Sequence, residues 1–125
     1  MKKVLTIMLL GLGILACSKE GTSKNETTGK TEEKKKVGIT QFIEHPALDA
    51  SKEGFIKALS DNGYIDGQNI EIDFQNSQGD QNIAQTIAQE FVTEKKDLIL
   101  AIATPSAQAT YNITKDIPIL ITAVT

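Results

Sequence analysis

The chain has 125 residues, 13 Lys and Arg against 16 Asp and Glu, one cysteine, one histidine and no tryptophan. An acidic balance, pI about 5.1, without a basic stripe interleaved with aromatics excludes a nucleic-acid surface. One Cys and one His exclude an internal disulfide framework and a zinc-type ligand set.

The chain opens with Met1-Lys2-Lys3 and an apolar run over residues 4–16. A charged start, a short apolar stretch and a small residue match a secretory signal peptide, and the run is shorter than the ~20 residues a spanning helix needs. The order Ile14-Leu15-Ala16-Cys17 resembles a bacterial lipobox, which implies removal of residues 1–16 and a diacylglyceryl group on the Cys17 thiol. The alternative is a simple signal peptide or signal anchor with an incidental cysteine. Two or three acyl chains anchor stably where one does not, since each buried methylene contributes about 0.8 kcal/mol. Residues 18–36 hold no large apolar side chain and are expected, with Cys17, to form a disordered tether. Lys34-Lys35-Lys36 reads as the solvated end of that tether, balanced by Glu32 and Glu33.

From Val37 the punctuation alternates strand and helix. Val37-Gly38-Ile39-Thr40-Gln41-Phe42 suits a first strand, and Pro46 opens a helix with Leu48, Phe55 and Leu59 on one face and Ala58 beside them. Asn62-Gly63 closes it, and Asn69-Ile70-Glu71-Ile72-Asp73-Phe74 alternates with period two as a second strand. Asp80 caps a second helix striped by Ile83, Ile87 and Phe91 and widened by Ala84, Ala88 and Val92, with Lys95 and Lys96 expected in its last turn, opposing the dipole. Leu98-Ile99-Leu100-Ala101-Ile102-Ala103 reads as a strand covered on both faces. Thr104 as a capping hydroxyl and Pro105 as first helical residue start a third helix over residues 105–115. A fourth buried strand is expected over residues 118–124. The order β-α-β-α-β-α-β predicts an α/β, Rossmann-like, doubly wound parallel sheet with strand order 2-1-3-4. The open edge after the fourth strand reads as a chain cut short.

Val37-Gly38-Ile39-Thr40-Gln41-Phe42 followed by Glu44-His45-Pro46-Ala47-Leu48-Asp49, then Gly54-Phe55, Ala58-Leu59, Gly63-Tyr64, Gly67-Gln68-Asn69, Gln78-Gly79-Asp80 and Ala103-Thr104-Pro105-Ser106-Ala107-Gln108-Ala109, resemble the substrate-binding lipoproteins of bacterial ABC importers. The likeness is to the tryptophan- and tyrosine-binding branch and covers residues 37–125. It implies a periplasmic-binding-protein-like fold of two lobes, of which 37–125 is the N-terminal one, a membrane permease as partner and an extracytoplasmic, lipid-anchored location. The ligand implied is a small molecule, an amino acid and in particular an aromatic one.

In an open parallel sheet the ligand lies beyond the carboxyl ends of the strands where strand order reverses, here between the first and third strands. Two loops are therefore candidates. Thr104, Pro105 and Ser106 open a helix whose free N–H groups and hydroxyls suit a carboxylate; for Thr104 a plain capping role is the alternative. Thr40, Gln41, Phe42, Glu44 and His45 face them: Gln41 and Glu44 as acceptors for an ammonium, Phe42 or His45 as a stacking surface. Phe42 suits the core equally, and His45 a helix cap. Asp80 is expected to cap its helix, and Thr125 ends the fourth strand near the cleft. There is no Gly-x-Ser-x-Gly elbow, no phosphate loop and no paired acidic residues after the first strand, so neither an enzyme nor a cofactor is expected. A sensor or interaction lipoprotein without transport, and an inactive fragment, are the other readings.

Overall fold

The computed structural model describes residues 32–125. Cys17, the expected signal peptide and residues 17–31 of the expected tether lie outside the described residues. The order is β1 (Lys35–Gln41), α1 (Pro46–Asp61), β2 (Ile70–Asn76), α2 (Gln81–Thr93), β3 (Leu98–Ile102), α3 (Thr104–Ile113) and β4 (Ile119–Thr122). All pairings are parallel, in the order β2-β1-β3-β4. This is the architecture that alternating strand and helix signals require.

Alternation along each strand sends successive side chains to opposite faces. Val37, Ile39, Leu100 and Ile102 point to one face, where Leu48, Phe55 and Ile56 of α1 and Ile72 of β2 pack on them. Ile99 points to the other, against Ile87 and Phe91 of α2, with Ile117 alongside. Helix α1 buries no residue completely; Ala58, expected beside its apolar face, is exposed, and Ile56 takes part instead. In α2 the buried set is Ala84, Ile87, Ala88 and Phe91, while Ile83 in the first turn is exposed.

Local chemistry sets the helix ends. The Asp80 carboxylate accepts from Asn82 N and Ile83 N at 2.7 and 3.1 Å, the N-cap its position implied. After α1, Gly63 takes φ 91°, and Tyr64 N donates to Leu59 O at 2.9 Å, closing the last turn.

Three expectations change. β1 starts at Lys35, two residues into the expected tether, because Lys35 and Lys36 pair with Ile70 and Glu71. Ladder pairing needs backbone groups only, and Asp97 reinforces it, accepting Lys36 N on Oδ2 at 2.8 Å and donating its own N–H to Lys36 O at 2.7 Å. Helix α2 ends at Thr93, so neither Lys95 nor Lys96 lies in its last turn. Lys95 turns the chain with φ 58°, and Lys96 folds inward, its ammonium 3.0 Å from Asp73 and 2.9 Å from Glu94. β4 is shorter than expected and is not buried: among the described residues it pairs with β3 alone, and Leu120 and Ile121 are exposed, as is Val124 beyond it.

The packing depends on a close approach. A Cβ at Gly38 would lie 2.6 Å from Cδ2 of Phe91, which is itself fully buried. Gly38→Ala is expected to destabilise the domain by about 1–3 kcal/mol, the usual cost of overpacking, read as a lower urea midpoint at unchanged slope.

Burial pulls the Lys96 pKa down, but hydrogen bonds to Glu94 and Asp73 and their charges outweigh it, so the ammonium is held above the ordinary lysine value. A pKa raised by folding gives stabilisation that is complete below the unfolded lysine value of about 10.4 and lost as pH rises through the folded value. Lys96→Met is expected to cost about 1–3 kcal/mol at neutral pH, less than a wholly buried orphan charge because Asp73 and Glu94 keep access to water. The gap between wild type and variant should stay constant to about pH 9 and shrink above about 10.4. Denaturation at a series of alkaline pH values checks this.

Candidate functional site

β1 and β3 are neighbours, but the chain leaving β1 passes to α1 on one face and the chain leaving β3 passes to α3. The two connections diverge, which opens a crevice at the carboxyl ends of these strands. The loop after β2 is tied to the same rim. Ser77 N donates to Gln41 O at 2.9 Å, and Phe42 O accepts from Gly79 N at 2.7 Å and from Ser77 Oγ at 3.0 Å. Phe42 N donates to Ile102 O at 3.3 Å, so the backbone of Phe42 is held by the loop after β2 on one side and by the end of β3 on the other.

The side chains of the first loop divide. Gln41 is fully buried; its Nε2 donates to Asp49 Oδ1 at 2.8 Å and to Ile43 O at 2.9 Å, and its Oε1 has no partner among the described residues. It sits behind the rim, not on it as expected, because β1 alternation turns it toward α1. Phe42 is half-buried, between the core and wall roles that its sequence allowed. His45 is the N-cap of α1, Nδ1 accepting from Ala47 N at 3.2 Å, with the ring exposed. Glu44 is exposed and lines a depression of about 490 Å³ with Asp49, Lys52, Phe74 and Asn76. In it the Lys52 ammonium stands 4.2 Å from the centre of the Phe74 ring. Lys52 and Phe74 were not anticipated at the rim: they come from α1 and β2, and no spacing in the chain announces their meeting.

The second loop departs from the expected capping pattern. Helix α3 begins at Thr104 itself, Pro105 is its second residue, and the N-cap is Ala103, which offers no side-chain bond. Ala103 has φ 83° and ψ 152°, a region that nearly always requires glycine. The Thr104 hydroxyl accepts instead from Thr125 N at 3.1 Å. Pro105 is half-buried, with its carbonyl 3.5 Å from Gln81 Nε2. Ser106 and Thr40 are both buried, and neither Ser106 Oγ nor Thr40 Oγ1 has a partner among the described residues. Unpaired buried hydroxyls are uncommon and cost free energy. Here they stand at the end of β1 and in the first turn of α3.

Thr104 lines a second, apolar depression of about 570 Å³ with Ala107, Tyr111, Ile119, Ile121 and Val124. Thr125 is exposed beside it. The nine candidate residues thus frame one end of the sheet without sharing one cavity: Glu44 lies on the α1 side and Thr104 on the α3 side. Among the described residues no three His, Cys, Asp or Glu stand where they would hold a metal ion, and no helix is long and apolar enough to cross a membrane.

Such geometry fits known proteins. The model of the ABC transporter substrate-binding protein family matches residues 36–125. A curated relative, the tyrosine-binding protein of Clostridioides difficile (strain R20291), is 55% identical over 131 residues, covering 99% of this chain and 38% of the relative. A ligand-free, open structure of a substrate-binding protein with adhesive properties from Clostridium difficile superposes with TM-score 0.72 at 66% identity, over 73% of this chain and 31% of that one. The ABC domain from Streptococcus pneumonia in complex with L-Trp does so with TM-score 0.70 at 41% identity, over 74% and 31%. The chain therefore spans well under half the length of these relatives.

Ala103→Gly is expected to raise the thermal midpoint, because glycine adopts this backbone freely while alanine is strained by about 1–3 kcal/mol. Calorimetry of the two chains checks this, and a lowered midpoint would show that the turn is not strained.

Proposed function

Because this chain belongs to the ABC transporter substrate-binding protein family, we propose that residues 37–125 form the first lobe of a two-lobe receptor for an aromatic amino acid. The observation that carries the reading is the start of α3. Backbone N–H groups without a side-chain cap, the Thr104 hydroxyl and the buried hydroxyl of Ser106, unpartnered among the described residues, all belong to the first turn of α3 at the carboxyl end of the sheet, where an anion is favoured. The tyrosine-binding relative and the relative holding L-Trp support an aromatic ligand.

In this reading the ligand carboxylate meets Thr104, Pro105 and Ser106. The opposite wall is the loop that follows β1, with Glu44 toward the ammonium, Phe42 or His45 against the ring, and Thr40 and Gln41 buried behind it. Gln41 acts through Asp49, which it holds. Thr125 stands where the chain leaves β4. Closure is a shift of population between open and closed forms, driven by contacts from both lobes.

The family is one of binding proteins and not of enzymes, and its members work outside the cytoplasm. We further assign residues 1–16 to a lipoprotein signal peptide, Cys17 to lipid attachment and the residues up to β1 to a tether. Anchoring by that tether raises the local concentration of receptor at its permease. The relative with adhesive properties favours a second reading, an interaction lipoprotein that docks a partner at the membrane without transport.

A thermal-shift series on the intact exported protein separates the two. L-tyrosine, L-tryptophan or L-phenylalanine at a hundredfold excess over its Kd should stabilise the native state by about 2.7 kcal/mol, with L-alanine as the control. No response to any of the three aromatic amino acids would sink the receptor reading.

A further inference from the structure

Asp49 and Lys52 stand three residues apart in α1, the spacing at which opposite charges on a helix meet, and both line the depression on the α1 side of the crevice. They form no ion pair among the described residues. Each is held by something else. The Lys52 ammonium lies over the Phe74 ring, 4.2 Å from its centre, and Asp49 Oδ1 accepts from Gln41 Nε2 at 2.8 Å.

Gln41 is a well-fixed donor. It is fully buried, and the same nitrogen also donates to Ile43 O at 2.9 Å, so two acceptors set the plane of its amide. The carboxylate it holds is half-buried in the first turn of α1, where the helix dipole favours a negative charge. A carboxylate only accepts hydrogen bonds, and a bond on Oδ1 leaves Oδ2 available. Asp49 Oδ2 has no partner among the described residues, and unlike Thr40 Oγ1, Gln41 Oε1 and Ser106 Oγ it is not sealed from solvent. Glu44 lines the same depression, but it is exposed, so its charge is screened and its side chain loses freedom on being ordered.

We propose that Asp49 is the main partner of the ligand's ammonium group, with Gln41 as its positioning residue, and that this pair gives the site its preference for an amine. The inference rests on the reading of the crevice as one that receives an amino acid. Asp49 presents an acceptor-only group to the depression, and Lys52, seated on Phe74, does not occupy it. A carboxylate already fixed by a buried amide loses little freedom when a ligand binds, which is the advantage it has over Glu44.

Titration calorimetry on the intact exported protein tests this, with L-tyrosine, L-tryptophan and L-phenylalanine each compared with its desamino acid, the same molecule without the amine. For the tightest binder, wild type should prefer the amino acid about ten- to a hundredfold, the range of one hydrogen bond between charged groups. Asp49→Asn keeps the shape and the bond from Gln41, and it should lose most of that preference while binding the desamino acid as before. Glu44→Gln should change the preference by less than about threefold, as neutralising an exposed charge does. An Asp49→Asn protein that keeps the wild-type preference overturns the proposal. So does a wild type that binds the amino acid and its desamino form equally; in both cases the receptor reading stands. A wild type that binds none of the three amino acids overturns the receptor reading and this proposal together. Gln41→Met should lower the preference about two- to tenfold and leave the desamino acid unaffected. An equal loss for both ligands makes Gln41 a structural residue and overturns its positioning role. Asp49→Asn retains the Gln41 side chain, so its result stands whether or not Gln41→Met folds.

Discussion

Phe91 lies against Gly38, and the rest of the domain is arranged around that contact. β1 is the central strand, hydrogen-bonded to β2 on one side and to β3 on the other. Because one of its residues has no side chain, the ring of Phe91 reaches the backbone of the sheet and brings α2 down with it. Burying a ring of this size contributes about 2–3 kcal/mol, a large share of the net stability of a small domain. The seating of α2 in turn places the loop from Ser77 to Asp80, whose amides and hydroxyl hold the end of β1. Core packing at one level thus fixes the rim of the crevice at the next.

Strain is concentrated at that rim. Of the four non-glycine residues with positive φ among the described residues, Gln78, Ala103 and Ala123 follow the carboxyl end of a strand, and Lys95 precedes β3. Such residues persist only where the surroundings over-determine them. At Ala103 the chain passes from β3 directly into α3, and because this N-cap residue has no polar side chain the first helical N–H groups are unengaged by a cap. Buried hydroxyls without partners at Thr40 and Ser106 add to the cost. The opposite, amino-terminal end of the sheet is built otherwise: there Asp97 satisfies Lys36, and Lys96 is paired with Asp73 and Glu94.

Much of this was legible in the chain, for local reasons. Period-two alternation at Ile70, Ile72 and Phe74, the run from Leu98 to Ile102, the Asp80 cap and the Gly63 stop depend on neighbours within a few residues, and each forms as those neighbours dictate. Strand order followed from right-handed crossovers. The misreadings have a common cause. Lys96 reads as a cation opposing the dipole in the last turn of a helix, but its partner Asp73 is on β2, far away in sequence. Ile121 reads as core, but among the described residues no element packs over that part of β4, and its side chain is exposed. Thr104 looked like a cap, but its acceptor is occupied by Thr125.

By itself the sequence determined the fold class, the order and approximate bounds of the elements, and the family, because these rest on periodicity, turn residues and motifs that are local or additive along the chain. Only the tertiary structure decided which polar groups face the crevice and what holds them. Gln41 is turned inward onto Asp49, Phe74 and Lys52 meet at the rim, and Thr125 reaches Thr104 across 21 residues. The direction of a side chain at a strand end is set by the element packed against it. That element comes from elsewhere in the chain, so no local pattern encodes it.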